Sequence, residues 1–279
     1  MQSPVDVIIL ANQNNRTFWP FSGLVSLPML PLAGKPLISC LIEILARFAP
    51  IRIGVAICPW DHETLAEATR HHWPNVTISP LLDLRADWPT AELVLRADII
   101  PDHSAIAGQV NALREGPPVP PRKTRPYAWL KPVLSRQNGT TAADCLLPDA
   151  AAYFRMAMLA QQDCIEGLQP EGWIGDDGIR VGTGTTILTR RGPGIRVSVG
   201  SNAFIDRSVQ LGDSSIVGEG AYVSHGAWLQ HSIVLPNCFV PPGTKLDHSI
   251  VCKHWIYDIK SGTTKKTQNI NNTSYQNIA

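Results

Sequence analysis

The stretch VSVGSNAFIDRSVQLGDSSIVGEGAYVSHGAWLQHSIVL, residues 197–235, decides the fold of the second half of this chain, because aliphatic residues recur in it at intervals of six. These residues are Val199, Ile205, Leu211, Val217, Val223, Leu229 and Leu235. Small or β-branched residues stand two places before most of them, and glycine follows several. In a three-sided coil, aliphatic side chains at this spacing fill the interior and glycines relieve the corners. The pattern predicts a left-handed parallel β-helix of hexapeptide repeats.

The repeat extends beyond this stretch in both directions. Its phase runs back to Val181 and slips by one residue after Leu235. We expect the β-helix to occupy residues 166–260, with a strand and a short amphipathic segment in 247–260 closing its open end. The polar residues 261–279 are rich in Asn and Thr, and this composition predicts a disordered tail.

The first half of the chain, residues 1–165, predicts a different architecture. Apolar runs rich in β-branched residues predict buried parallel strands at 5–10, 51–57, 76–81 and 92–96. Amphipathic helical patterns occupy residues 36–48 and 61–71, the second opened by Asp61 as a helix cap. Alternation of strand and helix predicts an α/β fold, an abbreviated doubly wound (Rossmann-like) domain, in which ligands bind at the carboxyl ends of the strands.

The opening stretch VDVIILANQNNRTFWPFSGLVSLPMLPLAGKPLI, residues 5–38, joins a strand, a loop, a PMLP segment and an AGKPLI turn. It resembles the signature of the sugar-nucleotide pyrophosphorylases, which join a sugar 1-phosphate to a nucleoside triphosphate and release pyrophosphate. ELVLRADII, residues 92–100, is similar to the family's strand that ends in a magnesium-binding aspartate. Residues 144–162 resemble the helix that closes the catalytic domain. The resemblance implies a nucleotidyltransferase domain followed by the β-helix.

The resemblance also assigns candidate site residues. The candidate nucleotide-binding residues are Leu10, Ala11, Asn12 and Gln13. Asp98 matches the metal aspartate and is the expected Mg²⁺ ligand if the protein is catalytic. Arg16 stands one place before the position of the family's catalytic arginine, so Arg16 and Lys35 are candidate catalytic residues for a rebuilt site, in which each supplies a cation that would hold phosphate.

Much of the family's chemistry is missing from the same motifs. Asn12 and Gln13 stand where paired glycines let backbone amides approach phosphate, so a Cβ occupies that space. Thr17 replaces the family's catalytic arginine and Leu27 replaces a lysine, which removes two cations that stabilise developing charge. Residues 99–143 are too few for the family's sugar-binding lobe.

Three functional hypotheses follow. The losses favour a non-catalytic relative that regulates or scaffolds in sugar-nucleotide or polysaccharide metabolism. The first alternative is an active nucleotidyltransferase that forms an NDP-sugar through a rebuilt site. The second alternative is a hexapeptide-repeat acyltransferase with His225 or His231 as general base. The expected protein partner is a second copy of the chain or an active paralogue, and the candidate ligand is a nucleotide or nucleotide sugar.

Composition narrows the functional class further. Among 279 residues, 24 Lys and Arg balance 23 Asp and Glu, so we expect neither a nucleic-acid partner nor an anionic membrane. Since the sequence has no apolar run of about 20 residues and no signal-peptide pattern, the expected location is the cytoplasm. The six cysteines form no CxxC pair and have no zinc-finger spacing, which is typical of structural thiols in a reducing compartment.

Overall fold

The chain divides into two compact units, Met1–Pro170 and Glu171–Ala279. In the computed structural model, the described residues are 5–11, 21, 24–58, 61–81, 93–98, 103–115, 147, 149–163, 165, 168–175, 178–189 and 195–267. Among the helices in these ranges, none has the length and apolar character needed to cross a membrane.

The first unit is a mixture of helices and parallel strands. Its elements are β1 (Val5–Leu10), a 3₁₀ helix (Leu27–Met29), β2 (Pro31–Leu32), β3 (Lys35–Pro36), α1 (Leu37–Ala46), β4 (Ile51–Ala56), α2 (His62–Arg70), β5 (Val76–Leu81), β6 (Leu93–Arg96), α3 (His103–Glu115) and α4 (Ala150–Gln161). Four strands form one parallel sheet in the order β5-β4-β1-β6. The predicted α/β character and parallel sheet are therefore confirmed.

The core of the first unit lies between this sheet and its helices. Val7 and Ile9 of β1 are fully buried and belong to the same apolar cluster as Ile38, Leu41 and Leu45 of α1. The aliphatic residues of α1 recur at intervals of three and four, which places them on one face of the helix. Burial of this face fixes α1 against the sheet.

A local sequence signal accounts for the start of α2. The Asp61 side chain accepts a hydrogen bond from the Thr64 amide at 3.1 Å, as its predicted role as the cap of α2 requires. Helix α3 was not predicted. Its buried residues Ile106 and Val110 lie four positions apart in a segment of small and polar residues, and this narrow apolar stripe gives only a weak signal.

The second unit is built from short strands. They are β7 (Trp173–Ile174), β8 (Ile179–Val181), β9 (Thr186–Ile187), β10 (Val197–Val199), β11 (Phe204–Ile205), β12 (Gln210–Leu211), β13 (Ser215–Val217), β14 (Tyr222–Val223), β15 (Trp228–Gln230), β16 (Ile233–Val234), β17 (Phe239–Val240), β18 (Lys245–Asp247), β19 (Ser249–Cys252), β20 (Trp255–Asp258) and β21 (Thr263–Lys266). From β10 to β18, successive strands join three sheets in turn. This arrangement is compatible with a β-helix.

Paired strands lie closer together in sequence in the last turns of this unit than in the earlier ones. Val199 pairs with Val217, and Leu211 pairs with Leu229, so each of these turns takes three complete hexapeptides. The turn that joins Ile216 to its partner Ile233 is shorter by a single residue. The structure therefore places a one-residue slip between Gln230 and Ile233, slightly before the position after Leu235 that the sequence indicated. A second residue is lost between Asp247 and Ile250, because Ile233 and its partner Ile250 are separated by the same shorter interval.

The end of the second unit differs from the sequence expectation. Strands β19, β20 and β21 pair in antiparallel fashion. Residues 263–266 therefore form a strand, although the sequence assigned them to a disordered tail. β21 is the edge strand of its sheet, and it carries Lys265 and Lys266. Charged side chains on an edge strand discourage pairing with a further strand. Residues 268–279 lie outside the described residues.

Three glycines at equivalent positions of successive turns, Gly182, Gly200 and Gly218, lie directly under the next turn of backbone. A Cβ on Gly200 would lie 2.5 Å from the amide nitrogen of Glu219, and one on Gly218 would lie 2.6 Å from the nitrogen of Pro236. Backbone atoms cannot move away as a flexible side chain does. Close approach between turns therefore requires glycine at these positions.

We predict that Gly200→Ala destabilises the second unit by about 1–3 kcal/mol, because the added methyl group overpacks it against backbone. Gly108→Ala is the matched control, since a Cβ at Gly108 in α3 meets nothing within 4 Å. This control should be neutral or stabilising by about 0.5–1 kcal/mol. Native-state hydrogen exchange of β10 and β13 measures the effect, and equal protection in both variants would contradict the packing account.

Candidate functional site

Two strand ends meet at one edge of the parallel sheet of the first unit. Leu10 pairs with Arg96 in parallel register. The Ala97 amide donates a hydrogen bond to the Leu10 carbonyl at 3.0 Å, and the Ala11 amide donates to the Ala56 carbonyl at 2.8 Å. The structure therefore brings the predicted site residues Leu10, Ala11 and Asp98 to the same edge.

Asp98 is buried directly after β6, with only 5% of its surface exposed. Its carboxylate accepts two hydrogen bonds from Arg96, one from Nε to Oδ1 at 2.8 Å and one from Nη2 to Oδ2. The hydrogen bond with Asp98 is the main cause of a raised pKa for the Arg96 guanidinium. Both carboxylate oxygens are thus engaged by a cation of the chain itself.

This ion pair changes what Asp98 can do. A magnesium ion is held through carboxylate oxygens, water and phosphate oxygens. A bidentate guanidinium contact matches both oxygens of the carboxylate in a planar fork and supplies the positive charge that a metal ion would supply. Mg²⁺ would therefore compete with Arg96 for the charge of the Asp98 carboxylate in this arrangement.

Sequence reasoning did not identify Arg96 as a site residue. The signal was present, because alternate residues of an extended chain point to the same side and Arg96 precedes Asp98 by two positions. An arginine two residues before a strand-end aspartate is able to neutralise it locally. The structure shows that it does so here.

Lys35, a candidate catalytic residue, contacts an acidic side chain of α1. Its Nζ lies 2.5 Å from Oε2 of Glu43, and both side chains are largely buried. Lys35 stands in β3, which pairs with β2 across a two-residue turn. Both turn residues, Ala33 and Gly34, have positive φ, as a type I′ hairpin requires. The ion pair therefore links this hairpin to α1.

Three predicted site residues, Asn12, Gln13 and Arg16, lie outside the described residues.

The two candidate acyltransferase histidines lie at different corners of the second unit. His225 is exposed, with Nδ1 3.4 Å from the hydroxyl oxygen of Ser224. His231 follows β15 and stacks on His248 with ring centroids 4.8 Å apart. The structure does not bring His225 and His231 into one site.

A scan against models of known protein families gives no match, and a search of curated proteins gives none either. The function of the chain is therefore inferred from its sequence motifs and its own geometry.

We predict that Arg96 and Asp98 are energetically coupled. In a double-mutant cycle of Arg96→Met and Asp98→Asn, the coupling should be about 1–3 kcal/mol, because either change alone leaves the other charged group without its partner. Native-state hydrogen exchange of β1 and β6 amides measures it.

The Arg52–Asp6 pair provides a matched control in the same sheet, since it has the same two-point geometry with both contacts at 2.6 Å. Arg52 is 51% exposed against 34% for Arg96, so we expect a smaller coupling of about 0–1 kcal/mol. A coupling near zero for Arg96 and Asp98 would show that the pair does not hold this edge together.

Proposed function

We propose that this chain is a non-catalytic relative of the sugar-nucleotide pyrophosphorylases that acts as a regulatory or scaffolding subunit. The observation that carries the proposal is the Arg96–Asp98 ion pair, because Asp98 is the residue that matches the family's metal aspartate. A carboxylate neutralised by an internal guanidinium serves the fold of the sheet edge and is a poor ligand for Mg²⁺.

A second contact supports the same conclusion. The ammonium group of Lys35, which would hold phosphate in a catalytic site, forms an ion pair with Glu43. Phosphoryl and nucleotidyl transfer depend on cations placed around the phosphate oxygens. Lys35 is engaged by Glu43, and Thr17 and Leu27 stand in place of two further cations. Arg16, which lies outside the described residues, is the remaining candidate catalytic cation.

We also infer the finer fold of each unit. In the sheet order β5-β4-β1-β6, the chain moves to one side of β1 and then returns to the other, and this reversal supports an abbreviated doubly wound, Rossmann-like domain. The six-residue aliphatic period, together with strands that join three parallel sheets in turn, supports a left-handed β-helix for the second unit.

An active nucleotidyltransferase is the second candidate function, because one observation favours it. Leu10, Ala11 and Asp98 lie at the sheet edge where the strand order reverses, and ligands of open α/β sheets bind at such a point. In this alternative, nucleotide binding draws Arg96 away from Asp98 toward a phosphate, and Asp98 becomes available to Mg²⁺.

The two functions make opposite predictions for pyrophosphate release. We expect the purified protein with Mg²⁺ to release no pyrophosphate above background across a panel of nucleoside triphosphates and sugar 1-phosphates, because Thr17 and Leu27 replace two phosphate-binding cations and Lys35 is engaged by Glu43. An active pyrophosphorylase serves as positive control. Turnover that is lost in Asp98→Asn and kept in Asp6→Asn would contradict the proposal, since Asp6 is also a buried carboxylate paired with an arginine.

The regulatory role is tested by adding the protein to an active pyrophosphorylase of the same organism. The proposal expects a stable complex and a changed KM or effector response of the active enzyme. The wild-type protein and Asp98→Asn should act alike as long as both remain folded, because Asp98 contributes no ligand. Absence of both a complex and a kinetic effect would overturn the regulatory role even if the protein is catalytically silent.

A further inference from the structure

Two histidines and an aspartate come together near the C-terminal end of the second unit. His231 lies between β15 and β16, Asp247 is the last residue of β18, and His248 follows it. One donor atom from each of these three side chains lies within 4.8 Å of the other two. The two imidazole rings are stacked, with 21° between their planes. These three residues are called the corner cluster below.

The corner cluster is a product of the shortened last turns of the second unit. If the register of the earlier turns continued, His231 would lie above Ser249, whereas the shortened turn places it against His248. Both histidines have positive φ, 45° for His231 and 48° for His248. This conformation is unfavourable for most residues other than glycine, so the surrounding backbone holds both histidines at the corner.

One ring nitrogen of the cluster is buried and unsatisfied. Within the part of the chain that the structure describes, Nδ1 of His231 is shielded from solvent and has no hydrogen-bond partner. A buried polar atom without a partner loses its hydration and gains nothing in return, which destabilises the fold. An imidazole nitrogen with a free lone pair is also the usual donor to a transition metal.

The charges around the histidines favour a cation. Asp247 Oδ1 lies 2.6 Å from Nδ1 of His248, and Asp247 Oδ2 accepts a hydrogen bond from Nζ of Lys260 at 2.7 Å. An aspartate is ordinarily ionised at neutral pH, so its carboxylate brings a negative charge to the two imidazoles.

A second carboxylate lies one turn earlier. The His231 amide donates to the carbonyl of Asp213 at 2.9 Å. The pKa of the Asp213 carboxyl is lowered chiefly by a hydrogen bond from the Arg196 amide, with His231 among the smaller causes. Asp213 therefore lies one turn before His231, and Lys260 offsets part of the charge of Asp247.

We propose that the corner cluster binds a divalent transition metal ion of the Zn²⁺ type through His231, Asp247 and His248. Two imidazoles and one carboxylate form a donor set that suits Zn²⁺, whereas Mg²⁺ and Ca²⁺ prefer oxygen donors throughout. Three protein ligands leave the fourth tetrahedral position to water. The site lies in the second unit and does not depend on the function proposed for the first.

Binding requires the cluster to close around the ion. Zn²⁺ bonds of about 2.0–2.2 Å place tetrahedral donor atoms about 3.3 Å apart, closer than the 4.8 Å that encloses the donors here. The stacked rings must turn toward each other, and the contact between Asp247 and His248 gives way to the metal. Since the side chains of Asp247 and His248 are partly exposed, these rotations do not disturb the aliphatic interior.

The metal would connect separate segments of the unit. His231 and His248 belong to successive turns, and the amide of Ile259, beyond β20, donates to the carbonyl of His248 at 2.8 Å. A bound ion would therefore stabilise the final turn together with the antiparallel strands that follow it. It would raise the thermal midpoint of the unit with increasing free metal, by mass action.

The test uses the full-length protein, stripped of metal with a chelator and titrated with ZnCl₂ against a chromophoric competitor. We predict one tight site per chain, and about 10- to 100-fold weaker binding in His231→Gln and in His248→Gln. His225→Gln is the matched control, because His225 is an exposed corner histidine outside the cluster, and it should bind as the wild type does. Apparent affinity should fall as the pH is lowered, because protons compete for the imidazole nitrogens.

Several results would overturn the proposal: a stoichiometry well below one, equal affinity in all four proteins, or displacement of Zn²⁺ by millimolar Mg²⁺. If a histidine variant does not fold, Asp247→Asn at a partly exposed position replaces it and should also weaken binding. Co²⁺ absorption of the wild-type protein gives an independent result, since intense visible bands report four-coordinate geometry and weak bands would contradict it.

Discussion

Parallel pairing of strands is the constraint on which both units depend. In a parallel sheet, residues far apart in sequence meet at a fixed register, and strand ends lie along one edge. In the first unit this register places Leu10 beside Arg96 and brings Asp98 to the edge that ends β1. In the second unit it stacks each turn on the turn before it, so that glycine is required at Gly200 and Gly218. The same constraint creates both candidate sites.

Electrostatics at the sheet edge then distinguish a structural role from a catalytic one. Asp98 is buried, and burying a lone carboxylate is costly unless it is paired and hydrogen-bonded. Arg96 satisfies that requirement from within the same strand end. A catalytic metal site needs the opposite arrangement, in which the ion itself balances the carboxylate. Lys35 and Glu43 form a second ion pair within the first unit, between β3 and α1.

The sequence predicted those features that depend on local patterns. The six-residue aliphatic period located the buried positions of the second unit, and Asp61 capped α2 as expected, because a period and a helix cap are both short-range signals. The contact between His231 and His248 escaped prediction, since it depends on where a single residue is lost from a turn. Helix α3 was not predicted for another reason, because its apolar stripe is narrow. The contact of Arg96 with Asp98 could have been predicted from the sequence, because residues two positions apart in an extended chain point to the same side.

The central claim is that Arg96 keeps Asp98 from acting as a metal ligand. The most direct measurement is the anomalous scattering of Mn²⁺ in crystals of the protein grown with Mn²⁺ and a nucleoside triphosphate. The account predicts that no anomalous peak lies within coordination distance of the Asp98 carboxylate and that Arg96 stays on both of its oxygens. A peak at Asp98, with Arg96 turned toward a phosphate, would contradict the account and establish a working metal site.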